Sequence, residues 1–217
     1  MKKIVKLNLC ICLVGMLLLM MMSAHAASTT GHEEFQKITF LHNDYGELLV
    51  DMDEEVKQKV LDSVKRKFFG WSVKTRCHNS KVVYEAGSIF SRSNNTKQTI
   101  ELDYSTSTKT TKQLSVNVSG SITLKLSGKI DQVSASLDDQ IRTEIGVKNE
   151  VVFQEGIDFS IIIAPGKKVS LLVKGIATLS NGASKYYVMG IPVKKGYWEY
   201  VDVENEYYEL FEEDILY

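Results

Sequence analysis

The sequence predicts a mainly β protein, an antiparallel β-sandwich or elongated β-sheet with a long amphipathic hairpin and one N-terminal amphipathic helix. Three observations carry that prediction. From Leu114 apolar residues recur at every second position, so that Leu114, Val116, Val118, Ile122, Leu124, Leu126 and Ile130 share one side, while Ser115, Asn117, Ser119, Ser121, Thr123, Lys125, Ser127 and Lys129 share the other. This is the period of a strand with one dry and one wet face. Short β-branched and aromatic runs separated by Gly, Pro and Asn punctuate most of the remaining chain. Only one stretch, residues 53–69, shows clear helical spacing.

In chain order, Lys2, Lys3 and Lys6 precede the apolar run Leu7–Met22, and Ala24-His25-Ala26 follows it. A basic region, an apolar core shorter than the ~20 residues of a membrane helix and an A-x-A site predict a secretory signal peptide over 1–26. The chain is therefore expected to be secreted, with cleavage after Ala26. Residues 27–70 form an N-terminal segment, in which ITFLHNDYGELLV suggests a short hairpin around Asn43-Asp44. The helix follows at 53–69: Asp51 or Asp53 caps it, Glu54 and Glu55 fill its first turn, and Val56, Val60, Val64 and Phe68 recur at a spacing of four. Lys65, Arg66 and Lys67 suit its last turn and Gly70 its stop.

Residues 71–195 read as an antiparallel β domain without a further helix. Trp71–Thr75, Lys81–Glu85 and Thr99–Tyr104 are expected strands, and the β-branched Ser105–Lys112 extends the last of them. In the central hairpin Leu114–Ile130 forms one arm, with a bulge between Ile130 and Val133. Asp138-Asp139 lies at the tip, and Ile141, Ile145, Val147, Val151 and Phe153 form the returning arm. Ala164-Pro165-Gly166-Lys167 has Pro and Gly where a type II turn needs them. Asn181-Gly182 reads as the turn of a further hairpin. Residues 196–217 comprise a last strand, Tyr197–Val203, and an acidic, aromatic tail.

Composition narrows the function classes. Without the signal the chain keeps 23 basic and 27 acidic side chains, and eight acidic residues but no Lys or Arg follow Lys195. Nucleic acid is therefore not expected as a partner; the tail could neutralise the body's own surface or meet a basic partner. Cys77 alone survives cleavage, which excludes an intramolecular disulfide and suits a bacterial secreted protein.

Chemistry-bearing motifs are scarce. Cys77 and His78 are neighbours on a strand, so their side chains point apart and cannot act as nucleophile and base. His42 and Asp44 have no serine motif to serve. Asp51-Met52-Asp53-Glu54 lacks the glycine and distal glutamate of a calcium loop, and Glu212-Glu213-Asp214 reads as a solvated cluster. No catalytic residue, cofactor-binding residue or metal ligand is assigned. The candidate functional positions are instead the dry face of the hairpin, membrane- or core-facing (Val116, Val118, Ile122, Leu124, Leu126, Ile130, Ile141, Ile145 and Val147). A second group, Tyr197, Trp198, Tyr200, Tyr207 and Tyr208, serves as interface aromatics or as cross-strand partners in a sheet.

Asn95-Thr96, the alternation from Leu114 to Phe153 and Ala164-Pro165-Gly166-Lys167-Lys168 together resemble the aerolysin-like β-pore-forming proteins of the epsilon-toxin and mosquitocidal-toxin group, over roughly residues 95–178. The resemblance implies a Ser/Thr-rich amphipathic hairpin stored against a sheet and released on oligomerisation at a membrane. The tip so placed, Leu137–Gln140, is charged where an inserting tip is often apolar. The leading expectation is a secreted, non-enzymatic β-rich protein that binds a cell-envelope component or another protein. The alternative is an oligomerising, membrane-active protein, and a hydrolase with dispersed carboxylates is third. N-terminal sequencing of the exported protein should begin at Ala27; an intact mass that retains Met1–Ala26 would overturn the export argument.

Overall fold

The computed structural model describes residues 30–41, 46–111, 114–124, 132–147 and 152–215. The cleavage site, Asn43-Asp44, Leu126 and Ile130 lie outside the described residues. The chain is mainly β, with antiparallel sheets and two helices. Its elements are β1 (Lys37–Phe40), α1 (Glu54–Asp62), β2 (Gly70–Ser93), β3 (Ile100–Thr111), β4 (Leu114–Gly120), α2 (Gln132–Ile145), β5 (Val152–Ile163), β6 (Lys167–Val188) and β7 (Ile191–Asp214). One sheet has the order β1-β2-β6-β7-β4, and β3 and β5 form a separate two-stranded ribbon.

Three very long strands set the frame. β2, β6 and β7 span 24, 22 and 24 residues, with β6 central and paired along its length to both neighbours. Alternation gives β6 two faces. On the first, Ala177, Leu179 and Ala183 are fully buried. Ala177 and Leu179 pack with Phe35, Leu48, Val82, Tyr84, Val201 and Val203, and Ala183 packs with Leu61 and Val64 at the end of α1. On the second, Ser180, Gly182 and Ser184 are small because Trp198 and Tyr200 of β7 and Trp71 of β2 fill the space above them. The N-terminal segment and α1 cover the first face, and α2 covers the second. At the far end, Leu102, Tyr104, Phe159, Ile161 and Ile163 of the ribbon pack on Phe90, Val169 and Leu171.

Several expectations are corrected. The hairpin 114–153 is not a hairpin here: its first arm continues as β4 only to Gly120, and Gln132–Ile145 is helical. Asp138-Asp139 therefore sits inside α2, not at a tip, and the bulge proposed beside Val133 falls at the start of that helix. Ser134, Leu137, Asp138, Ile141 and Ile145 are its buried residues, a helical stripe that the period-two reading masks. α1 ends at Asp62, short of the expected 69; Lys65–Phe69 form the connection to β2. The hairpin expected around Asn43-Asp44 has β1 as its one strand among the described residues, and β1 pairs with β2 instead.

Asn181-Gly182 lies in the middle of β6, and the turn comes at Met189-Gly190. Gly182 is required by close approach: a Cβ there would meet the Lys74 carbonyl oxygen at 2.2 Å and Trp198 Cζ2 at 2.7 Å, the use of strand glycine that a turn reading overlooks. The Pro165-Gly166 turn is present, with Gly166 at φ 73 and the Lys167 N–H donating to Ala164 O at 3.2 Å. Tyr197–Asp214 is one continuous strand, so the acidic tail is the outer part of β7. Its carboxylates meet β6 lysines across the ladder: Glu209 with Lys174 at 2.5 Å, Glu213 with Lys168 at 2.6 Å and Asp214 with Lys167 at 2.9 Å. The charge asymmetry of the sequence is thus satisfied within the sheet, though each exposed pair contributes at most ~1 kcal/mol.

Gly182→Ala should lower the stability of the fold by about 3 kcal/mol, because the added methyl meets backbone that cannot yield. A urea midpoint equal to that of the unaltered protein would show that β2 and β6 do not approach so closely.

Candidate functional site

Specific contacts hold α2 and β4 against the sheet. α2 lays Leu137 and Ile141, each 0% exposed, and Ile145 against Trp71, Val116, Ile122, Leu124, Trp198 and Tyr200. Burying each such side chain stabilises by about 2 kcal/mol. Polar anchors fix the position of the helix. Asp138 is buried and accepts hydrogen bonds from the Tyr200 hydroxyl and, at 2.8 Å, from Arg142 Nε one turn away. The Arg142 guanidinium also stands 5.9 Å over the Tyr200 ring. Burial, with the Asp138 carboxylate beside it, pushes the Tyr200 hydroxyl far above the usual phenol range. Trp71 Nε1 donates to Val133 O at 2.7 Å at the helix start. Where β2 bulges between Cys77 and Ser80, Asn79 Nδ2 donates to Ile145 O at 3.1 Å and Thr75 Oγ1 donates to Glu144 at 2.7 Å, which holds the helix end. Against these, Trp198 Nε1 is buried without a hydrogen-bond partner among the described residues, a cost of about 1–3 kcal/mol.

A second buried cluster ties the N-terminal segment to β4. His32, 1% exposed, places Nδ1 2.8 Å from Ser115 Oγ and Nε2 3.0 Å from Glu199 Oε1. Glu199 Oε2 accepts from Leu49 N–H at 2.7 Å and Asn181 Nδ2 at 3.1 Å. The Ser115 hydroxyl donates to Glu34 at 2.7 Å. Ser, His and Glu in contact suggest a nucleophile and its relay, but the single Ser115 proton goes to Glu34 and not to the imidazole. Ser115 is 2% exposed, and the cluster clasps the N-terminal segment to β4 and β7. Nothing in the sequence pointed to it, since its members lie on four separate segments.

The candidate hairpin positions divide as follows. Val116, Ile122, Leu124, Ile141 and Ile145 are buried together in the α2 cluster, and Val118 and Val147 pack against its margin. Among the aromatics, Trp198 and Tyr200 are core residues of that same cluster. Tyr197 packs beside α1 and Tyr208 beside the ribbon, while Tyr207 is exposed. The aromatics are therefore not one surface. Cys77 and His78 do point apart: the thiol is buried near Leu179 and pushed up by that burial, while the exposed imidazole faces the end of α2. Among the described residues no group of His, Cys, Asp or Glu is placed to hold a metal ion. No family model and no curated protein sequence matches the chain.

Asp138→Ala should destabilise the protein by about 2–3 kcal/mol, since it strands the buried Tyr200 hydroxyl. Adding Tyr200→Phe should restore part of that loss, because removing both partners costs less than removing one. Urea unfolding of the single and double variants measures it; strictly additive losses would mean that the two groups are not coupled.

Proposed function

We propose that the chain is a secreted, membrane-active protein whose segment between β3 and β5 is a stored hairpin, and that it acts as an oligomer. The β3–β5 register carries this reading. The ribbon pairs Ile100 with Ile163 and runs without a break to Thr111 opposite Val152. Continued at the same register, it would set Val116 opposite Val147, Val118 opposite Ile145 and Ile122 opposite Ile141 on one face. The other face would pair Ser119 with Glu144, Ser121 with Arg142 and Thr123 with Gln140. In the first three pairs apolar residues would meet apolar ones, and the charges of Glu144 and Arg142 would fall on the wet face. The dry face would continue the side of the ribbon that already carries Tyr104, Phe159 and Ile161. Asp139, opposite Leu124, is the one carboxylate on that dry face among these pairs.

An 11-residue arm such as Leu114–Leu124 meets the roughly 9–11 tilted residues needed to cross a bilayer. Its apolar side chains, now covered by α2, would find lipid instead. Copies would add at the outer edge of β7, which β4 covers only from Gly196 to Asp202; beyond it Leu210 and Phe211 stand exposed. Among the described residues no strand other than β4 pairs with this edge, and a strand edge of this kind can accept another strand. The resemblance to the aerolysin-like group supports the same reading.

A second reading has its own support. Because Leu137 and Ile141 are fully buried and both ends of α2 are anchored, α2 could be a permanent cover. The protein would then be a secreted, non-enzymatic binder of an envelope component or another protein.

Ser119 and Glu144 separate the two. Ser119 lies on β4, and the Glu144 carboxylate receives a hydrogen bond from Thr75 on β2. Two strands intervene in the sheet, so the sites are about 14 Å apart at ordinary strand spacing, beyond the reach of a disulfide. In the extended hairpin they are direct partners. With Cys77→Ala, Ser119→Cys and Glu144→Cys combined, a disulfide should form under mild oxidation when target membranes are added, together with dye release from vesicles. If no membrane produces either result, the permanent-cover reading stands.

A further inference from the structure

At the end of the sheet where β2 begins and β6 turns into β7, large apolar side chains face water. Phe68 and Phe69, in the connection from α1 to β2, are 75% and 63% exposed, while Met189, Ile191 and Val193 at the β6–β7 turn are 73%, 63% and 55% exposed. Hydrogen bonds join the two segments into one tip: Gly190 N–H donates to Phe68 O at 2.8 Å, and Arg66 Nε donates to Gly190 O at 2.9 Å. The Phe69 ring lies 6.0 Å from that of Tyr186. The patch is thus held in place and is not a loose loop.

Met189 breaks a local rule. Val188 pairs with Ile191, and the two residues between have φ of 51° and 79°, the geometry of a type I′ turn. Asn or Asp before Gly is the favoured filling of that turn. A methionine there adopts a left-handed backbone, which few non-glycine residues do, and also places its side chain in water. The residue gains nothing inside the fold in return, and such a violation indicates a contact outside it.

Charge says which contact. Ser63–Gly70 and Tyr187–Gly196 contain Lys65, Arg66, Lys67, Lys194 and Lys195 and no Asp or Glu. The preceding acidic residue, Asp62, lies 3.9 Å from Lys185. Protein interfaces are depleted in lysine, so an apolar centre ringed with lysines fits a protein partner poorly. Phe, Met and Ile surrounded by Lys and Arg fit the boundary between anionic headgroups and acyl chains.

We infer that this tip docks on a bilayer bearing anionic lipid, with Phe68, Phe69, Met189 and Ile191 entering the interface and the exposed Lys65 and Lys195 meeting headgroups. The tip lies apart from the stored hairpin in the sequence, and its purpose rests on the membrane-active reading. β4 runs from Leu114 opposite Asp202 to Gly120 opposite Gly196, toward the β6–β7 turn, so docking at the tip brings the stored segment to the membrane.

The test is cosedimentation of the full exported chain with vesicles of phosphatidylcholine alone or mixed equally with phosphatidylserine. Partitioning should be at least about tenfold stronger on the anionic vesicles at low salt and should weaken as salt rises. Phe68→Ser with Met189→Asn should reduce it at least about tenfold. Met189→Asn alone places a favoured residue in the turn, so its melting temperature should be equal or higher while binding falls. Equal partitioning on both vesicle types, or folded variants that bind like the parent, would overturn the inference. So would concentration-dependent self-association that the variants abolish without any vesicle binding, which would give the tip to a second copy. Binding that depends on the tip, without dye release on any lipid, keeps the docking site and removes the hairpin reading. Dye release undiminished in the variants does the reverse.

Discussion

The constraint on which the structure depends is the close contact of β6 with both of its neighbours along its full length. A strand paired on two edges and covered on two faces has no room for bulk at its centre. Hence the run Ser180-Asn181-Gly182-Ala183-Ser184 carries only small or short side chains where Trp198 and Tyr200 project across one face. On the other face that requirement produces a buried polar layer, since Asn181 and Glu199 are partners in the register and neither is exposed. Buried charge is costly unless every lone pair is used. Glu199 is satisfied because His32, Leu49 and Asn181 converge on it, so the N-terminal segment must lie across the sheet for the sheet's own centre to be tolerable.

This arrangement explains what could be read from the sequence and what could not. Strand content, the Pro165-Gly166 turn and the extension of β3 through the Ser/Thr-rich stretch follow from side-chain period and turn chemistry, which are local. α2 was hidden because residues 133–147 satisfy two periods at once. Val133, Leu137, Ile141 and Ile145 are spaced by four, as a helix needs, yet Ile141, Ile145 and Val147 also fall on one parity, as a strand needs. The Asp138–Arg142 pair, one helical turn apart, was the discriminating local signal. Asn181-Gly182 misled for the opposite reason, because its role is set by Lys74 and Trp198, far away in the chain. The clasp of His32, Ser115 and Glu199 was illegible in principle, since it exists only when the topology brings distant segments together.

A segment whose residues suit two secondary structures is locally frustrated, and most natural sequences avoid this. Here the frustration is confined to the stretch between β3 and β5, whereas the long strands on either side pair consistently. The helical form is favoured by Tyr200, Trp71 and Asn79, all supplied by the sheet. On the proposed reading, an extended form would be favoured by the register of the β3–β5 stem and by any apolar medium that receives Val116, Val118 and Ile122, so surroundings would decide between the forms more than intrinsic propensity.

The order in which such a segment could leave follows from its attachments. Among the described residues no backbone ladder holds α2; side chains of the sheet reach its Asp138 and Glu144 carboxylates and its Val133 and Ile145 carbonyls, and its apolar stripe packs beneath. β4 is held in addition by a backbone ladder to β7 and by the clasp at Ser115. Next to the clasp, Gly31 passes so close to Asn117 that a Cβ there would lie 2.3 Å from its Nδ2, so residues 30–36 lie over the inner face of β4. Release of α2 requires no movement of the N-terminal segment. Release of β4 breaks the Ser115 contacts to His32 and Glu34 in addition to the ladder with β7, and this uncovers one side of the buried His32–Glu199 pair. The first step is local and the second is coupled to the core, so a membrane that only receives α2 would leave the sheet intact. Conversion of the whole stem needs a source of free energy large enough to offset the loss of the clasp.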